Sequence, residues 1–185
     1  MRKIQRSELL DFQTYAEKRD QTRPRVLEHK TTRRVHVGPF LTFLFENTDT
    51  LRYQVQEMML AERLVKEAEI QHELDTYNEL IGPAGTLPAT LLIEIENAER
   101  RPELLARWLE LPSTLYAKLP DGTKVTPRFD QRQVDEHRLS SVHYLVFDVK
   151  GQTPVAIGTT LRELAAETVL TNEQKASLAA DLAAP

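Results

Sequence analysis

The stretch NTDTLRYQVQEMMLAERLVKEAEIQHELDTYNELI, residues 47–81, decides the expected fold. At about 100° per residue, Leu51, Val55, Met58 and Val65 fall on one face of a helix. Glu62 lies about 25° from their mean direction, with Glu69 and Glu73 close to the same line. A carboxylate on a buried face must be paired with Arg or Lys, bound to a cation, protonated or turned out to water, because an unpaired buried charge costs several kcal/mol. The second half of the stretch presents Ile70, Leu74, Tyr77 and Ile81 about 100° away on the same wheel. The helix is therefore expected to pack against two surfaces or to kink near residues 66–69, since unbroken it would be a rod of about 50 Å. Gly82-Pro83 ends it.

Working outward, Ser7 to Arg19 reads as a short helix anchored by Leu9, Leu10 and Phe12, and residues 19–30, around Arg23-Pro24-Arg25, as an exposed connector. Thr32 to Val37 is a candidate strand, broken by Gly38-Pro39. The apolar run Phe40 to Phe45 is assigned to the entrance of the long helix or to a turn before it. Beyond the helix, Ala89 to Ile95 is β-compatible, and Pro102 opens a short helix through Glu110. Pro120-Asp121-Gly122 is the clearest hairpin signal, joining residues 114–119 to 123–129, with Pro127 placing the second strand at an edge or bulge. Val142 to Val149, apolar on both faces, is a central strand, and Thr153 to Ile157 is expected to pair with it across Gly151-Gln152. Thr160 with Glu163, and Thr171 with Gln174, form capping boxes for two terminal helices. The expected class is α+β: an antiparallel sheet over about 89–157 packed with one long central helix over about 47–81 and short terminal helices. Residues 31–185 make a single domain, preceded by a basic, partly helical arm over 1–30.

Composition narrows the function classes. A net charge of -4 with 28% charged residues is ordinary for a soluble protein and argues against a general nucleic-acid or membrane-surface binder. Residues 1–34 nevertheless carry ten Lys or Arg against five Asp or Glu. The chain has no cysteine, which excludes disulfides, thiolate nucleophiles and cysteine-ligated zinc or iron-sulfur clusters of its own. With no hydrophobic leader and no apolar run of membrane-spanning length, a cytoplasmic location is expected.

One spacing invites chemistry. Glu69-Ile70-Gln71-His72 is a Glu-x-x-His pair on a helix, the arrangement that places a carboxylate and an imidazole side by side in carboxylate-bridged di-iron bundles. Glu62, Glu69, His72 and Glu73 are thus the candidate metal ligands, iron or manganese being the metals that suit oxygen-rich donors. A second copy of the chain would have to complete the set. Against this stands a solvated face, or one paired with cations, for which Arg33 and Arg34 are the candidate partners. Asp135-Glu136-His137 and His143 offer an acid-base pairing, but His143 alternates with Leu145, Phe147 and Val149 and reads as a core histidine. No nucleophile elbow, phosphate loop or dinucleotide fingerprint occurs.

Arg33-Arg34-Val35, Gly38-Pro39, Phe45-Glu46-Asn47, Gln54-x-x-Glu57-Met58, Glu62, Tyr77-Asn78-Glu79-Leu80 and Ala89-Thr90-Leu91 together resemble a bacterial domain-of-unknown-function family across nearly the whole chain. The resemblance implies a cytoplasmic protein encoded beside rubrerythrin-like and iron-sulfur oxidoreductase proteins, and it carries over no catalytic residue. The expectation is an accessory or interaction protein in a redox or peroxide-stress system, homo-oligomeric or bound to a protein partner. The alternative is a carboxylate/His metal-binding protein or oxidase.

Overall fold

Among the described residues, nine strands form two antiparallel sheets. The computed structural model describes residues 1–130, 133 and 137–184. The strands are β1 (Arg34–Val37), β2 (Leu41–Phe45), β3 (Leu87–Ile93), β4 (Leu115–Lys118), β5 (Lys124–Val125), β6 (Arg128–Phe129), β7 (Val142–Phe147), β8 (Ala156–Thr159) and β9 (Ala166–Val169). The helices are α1 (Phe12–Thr31), α2 (Thr48–Ala61), α3 (Glu67–Asn78), α4 (Arg101–Arg107), α5 (Leu111–Thr114) and α6 (Asn172–Ala183). The first sheet runs β1-β2-β3-β7-β6 and the second β5-β4-β8-β9. The class is α+β, as expected, but the sheets extend from residue 34 to 169 rather than over 89–157 alone. No described helix is long and apolar enough to cross a membrane.

The main core lies between the two sheets. Val35, Phe43, Leu91 and Leu145 come from the inner face of the first sheet and meet Leu115, Ala117 and Ile157 of the second, with Leu104, Trp108 and Leu178 closing the ends. On the outer face of the first sheet lies a smaller cluster, built from Leu51, Val55 and Met59 of α2, Ile70, Leu74 and Tyr77 of α3, and Ile4 and Leu9 of the N-terminal segment.

Four differences from the expected elements have identifiable causes. Phe40 to Phe45 does not lead into the helix; residues 41–45 form β2, wholly buried between β1 and β3. A strand covered on both faces shows no alternation, so its apolar run has no period to distinguish it. The single long helix is two. Arg63 adopts the left-handed conformation, φ 51°, with the Arg63 N–H bonded to Leu60 O and the Leu64 N–H to Met59 O. This closes α2 without the glycine that usually marks such an end. Residues 19–30 are helical rather than a connector: α1 runs through Pro24. The proline has no backbone N–H to donate, and the carbonyl left without it, on Asp20, sits on an exposed residue where water can satisfy it. Finally, β8 does not pair with β7. Lys150 and Gly151 both have positive φ, 52° and 74°, and the turn carries the chain across to the second sheet, where β8 lies between β4 and β9.

Of the two capping boxes, Thr171 with Gln174 opens α6. Thr160 with Glu163 does not open a helix; Glu163 instead accepts from Arg107 Nε and Trp108 Nε1, and the chain proceeds into β9.

The basic N-terminal stretch is laid along the helical layer. Two side-chain amides hold it as a strand partner would: Asn78 accepts from Ile4 N at 2.8 Å and donates to Ile4 O at 3.0 Å, and Gln56 does the same for Leu10 at 2.7 and 3.0 Å. At the far side of the molecule, Tyr116 lies flat over Gly158 in the second sheet, its hydroxyl donating to Glu167 and Lys124 Nζ standing 3.9 Å above its ring. A Cβ on Gly158 would fall 2.5 Å from the Tyr116 hydroxyl and 2.6 Å from the Ala166 carbonyl oxygen. Because one of these neighbours is backbone, Gly158→Ala is expected to displace the Tyr116 ring from beneath Lys124 and to destabilise the fold by about 1–3 kcal/mol, measured by urea denaturation.

Candidate interaction surface

Helix α1 is fastened at both ends and bare in the middle. Asp11 caps its start, its side chain accepting from Gln13 N and Thr14 N. Near that end Glu57 of α2 accepts from Arg19 Nε and Nη2, both at 2.8 Å, and from the Tyr15 hydroxyl at 2.6 Å. The bonds from Arg19 hold the Glu57 carboxyl below the usual carboxylate range against the opposing effect of burial, and burial together with that carboxylate pushes the Tyr15 phenol up. A forked guanidinium-carboxylate pair fixes orientation as well as distance.

At the other end the fastening is a buried polar junction. Arg33, 5% exposed, donates from Nε and Nη2 to the two carboxylate oxygens of Asp181 on α6, also 5% exposed, at 2.7 and 2.9 Å. Its third bond runs from Nη1 to the His29 carbonyl at 2.9 Å. Asn47 caps α2 through Oδ1, which leaves its amide group to donate to Asp181 at 2.8 Å and to His29 Nε2 at 2.9 Å. That orientation makes Nε2 the acceptor on His29 and puts the ring proton on Nδ1. Lys30 sits 5.2 Å from the centre of the Tyr53 ring. Between these anchors Gln21, Thr22, Arg23, Pro24 and Arg25 are all exposed. Five consecutive helical residues point in every direction around the axis, so this part of α1 has no packed side.

The predicted ligand set lies mostly at the surface. The break after Ala61 interrupts the register on which the inward reading rests, so Glu62, Glu69 and His72 are exposed, and so is Val65, at 72%. Glu69 pairs with Lys66 at 3.0 Å on the surface. Glu73 is half-buried; burial raises its carboxyl, repulsion from Glu62 adds to that, and His72 opposes it. Among the described residues no group of three or more His, Asp or Glu could hold a metal ion. Arg33 is not a partner of Glu62 or Glu69, since Asp181 takes it, and Arg34 is exposed on β1. His143 is a core residue, fully buried, donating from Nε2 to the Ser140 carbonyl at 2.9 Å, and burial lowers its pKa against the effect of that bond. Asp135 and Glu136 lie outside the described residues, and His137 is exposed.

A family model described as "Protein of unknown function (DUF3501)" matches residues 3–182. The chain belongs to the DUF3501 family. A solved structure, described as a novel protein of unknown function from Burkholderia pseudomallei K96243, is 32% identical to this DUF3501 chain. The match covers 97% of this chain and 99% of that one, with a TM-score of 0.88. No curated protein matches the sequence.

In this DUF3501 chain the junction residue that sequence reading passes over is Asp181. Its signal is a lone carboxylate among Ala179, Ala180, Leu182 and Ala183 in the terminal helix, a charge where the pattern is otherwise small and apolar. Asp181→Asn leaves the Arg33 guanidinium buried without its counter-charge. It is expected to cost about 3–5 kcal/mol in denaturant melts, whereas Arg34→Gln on the exposed neighbour should change stability by less than about 0.5 kcal/mol.

Proposed function

We propose that this chain is a non-catalytic accessory protein that docks a protein partner on the exposed middle of α1. The observation that supports this reading is the run Gln21–Arg25, a helical segment with no side packed on its own fold although Arg19 before it and His29 after it are both tied down. Polar helix alone is marginal in water, and an interior proline costs about 3 kcal/mol more, so the anchors spend stability on keeping this segment presented. A pre-ordered helix meets its partner with less entropy to lose than a disordered arm would. The family resemblance points to the partner class, a redox or peroxide-stress protein, and a second copy of this chain is the other partner to be tested.

The full-length protein and its Arg23→Glu/Arg25→Glu variant, cross-linked in a lysate of the native host, are expected to differ in one recovered protein, a redox enzyme, that only the unaltered chain captures. Recovery of the same proteins by both, or of none with a redox activity, would falsify the reading. Light scattering on the two proteins settles the second-copy arm: a dimer lost in the variant assigns the surface to self-association.

A second reading is favoured by the mutual repulsion of Glu62 and Glu73 at the corner between α2 and α3, which a bound cation would relieve. Iron or manganese would suit such oxygen donors, with a second copy of the chain completing the set. Metal analysis of untagged protein after iron or manganese supplementation decides it, less than about a tenth of an equivalent per chain removing the idea.

A further inference from the structure

We propose that the cleft between the C-terminal turn of α3 and the β6–β7 edge of the first sheet binds a small zwitterion with an apolar side chain, the chemical class of a free α-amino acid such as leucine. The proposal rests on this cleft alone and is independent of the docking role assigned to α1.

The cleft has a volume of about 320 Å³, at the small end of the range for ligand sites. Its helix wall is acidic, and its strand wall sets a cation beside Asp130. On the helix side stand Thr76 and Glu79, where the carbonyl end of α3 adds partial negative charge and its last turn contains no basic residue to offset it. On the strand side stands Arg128, opposite Val146 in the β6–β7 ladder. Among the described residues neither the Glu79 carboxylate nor the Arg128 guanidinium is joined to a salt-bridge or hydrogen-bond partner, although Arg128 lies close enough to Asp148 to lower its pKa. Asp130, also at the rim, already has a partner.

The surface between the walls is apolar and held in place. Leu80, Val146 and the Tyr144 ring supply it. Tyr144 packs edge-on against Tyr77 with ring centres 6.5 Å apart, and burial pushes the Tyr77 phenol well above its usual range. Gln133 closes one end, donating from its side-chain amide to Val142 O at 3.2 Å and accepting from Tyr144 N at 2.8 Å. Gly82 passes so close to Val146 that an added Cβ would lie 3.1 Å from its Cγ1.

A lone anion on Arg128 would face Glu79 and the negative helix end, and a lone cation on Glu79 would face Arg128. A molecule carrying both charges, with its ammonium toward α3, its carboxylate toward β6 and its side chain over Leu80 and Val146, meets every wall with the matching chemistry. Charge-assisted bonds at the two ends give orientation, and the apolar floor gives selectivity for the side chain.

The test uses the full-length protein and three probes: L-leucine, leucinamide, which lacks the carboxylate, and 4-methylpentanoate, which lacks the ammonium group. Leucine is expected to shift the backbone amide resonances of Leu80, Tyr144 and Val146, and each analogue to bind about tenfold or more weakly. Arg128→Gln should abolish the difference between leucine and leucinamide while keeping that between leucine and 4-methylpentanoate, and Glu79→Gln should do the reverse. Both side chains are exposed, so the variants should fold; if either does not, the three probes on the unaltered protein still decide. No shift at those amides with leucine at about 10 mM, or three probes that bind alike, overturns the proposal.

Discussion

Among the described residues, the buried pair between Arg33 and Asp181 is the one charged contact in a seam between the α1–β1 corner and the terminal helix, which Gln174 on the Arg34 carbonyl and Ser177 on Thr32 also join. The two residues lie 148 positions apart, one where α1 passes into β1 and the other in the terminal helix. Taking both charges out of water is expensive, and the geometry offsets the cost by using the groups fully: both carboxylate oxygens accept from the guanidinium, whose remaining Nη1 serves the His29 carbonyl. Asn47 extends the same network into the cap of α2. Placement of α1, the start of the first sheet and the seating of α6 therefore depend on one another. An apolar replacement could be as stable, but it would not dictate which three helices converge.

From that junction the molecule divides its work between two kinds of packing. The space between the sheets is filled by aliphatic and aromatic side chains packed continuously from Val35 to Leu178. The outer layer depends more on polar fasteners: the fork on Glu57 and the amides of Asn78, Gln56 and Gln133, each using both its donor and its acceptor on backbone. Such bonds are short and directional, and they leave surface free between them. The bare middle of α1 and the charged cleft below α3 both occur in this layer, not over the apolar core.

Much of the fold is legible where local chemistry is decisive. The hairpin at Pro120-Asp121-Gly122 joins β4 to β5, with Gly122 at φ 88°. Pro102 lies in the first turn of α4, and Thr171 with Gln174 caps α6. What stays hidden depends on partners distant in sequence. Nothing in Leu41–Phe45 itself says that two strands will cover it, and nothing in Arg63 says that it will take a left-handed conformation. The alignment behind the metal-ligand reading is lost for the same reason: Glu62 and Glu69 share a line only on an unbroken helix, and the break at Arg63 removes that line. Arg33 is recognisable as a cation in need of a partner, but its partner, Asp181, carries no mark in sequence beyond its isolation among alanines.

The amide clamps have a chemical consequence for the lifetime of the molecule. Each one works because the same planar group offers a proton and a lone pair side by side, and hydrolytic loss of ammonia would leave a carboxylate that can only accept. At Asn78 the new charge would face the Ile4 carbonyl, oxygen against oxygen, in a buried setting. Loss of that one amide would thus loosen the N-terminal segment from the helical layer while leaving the contacts between the two sheets untouched.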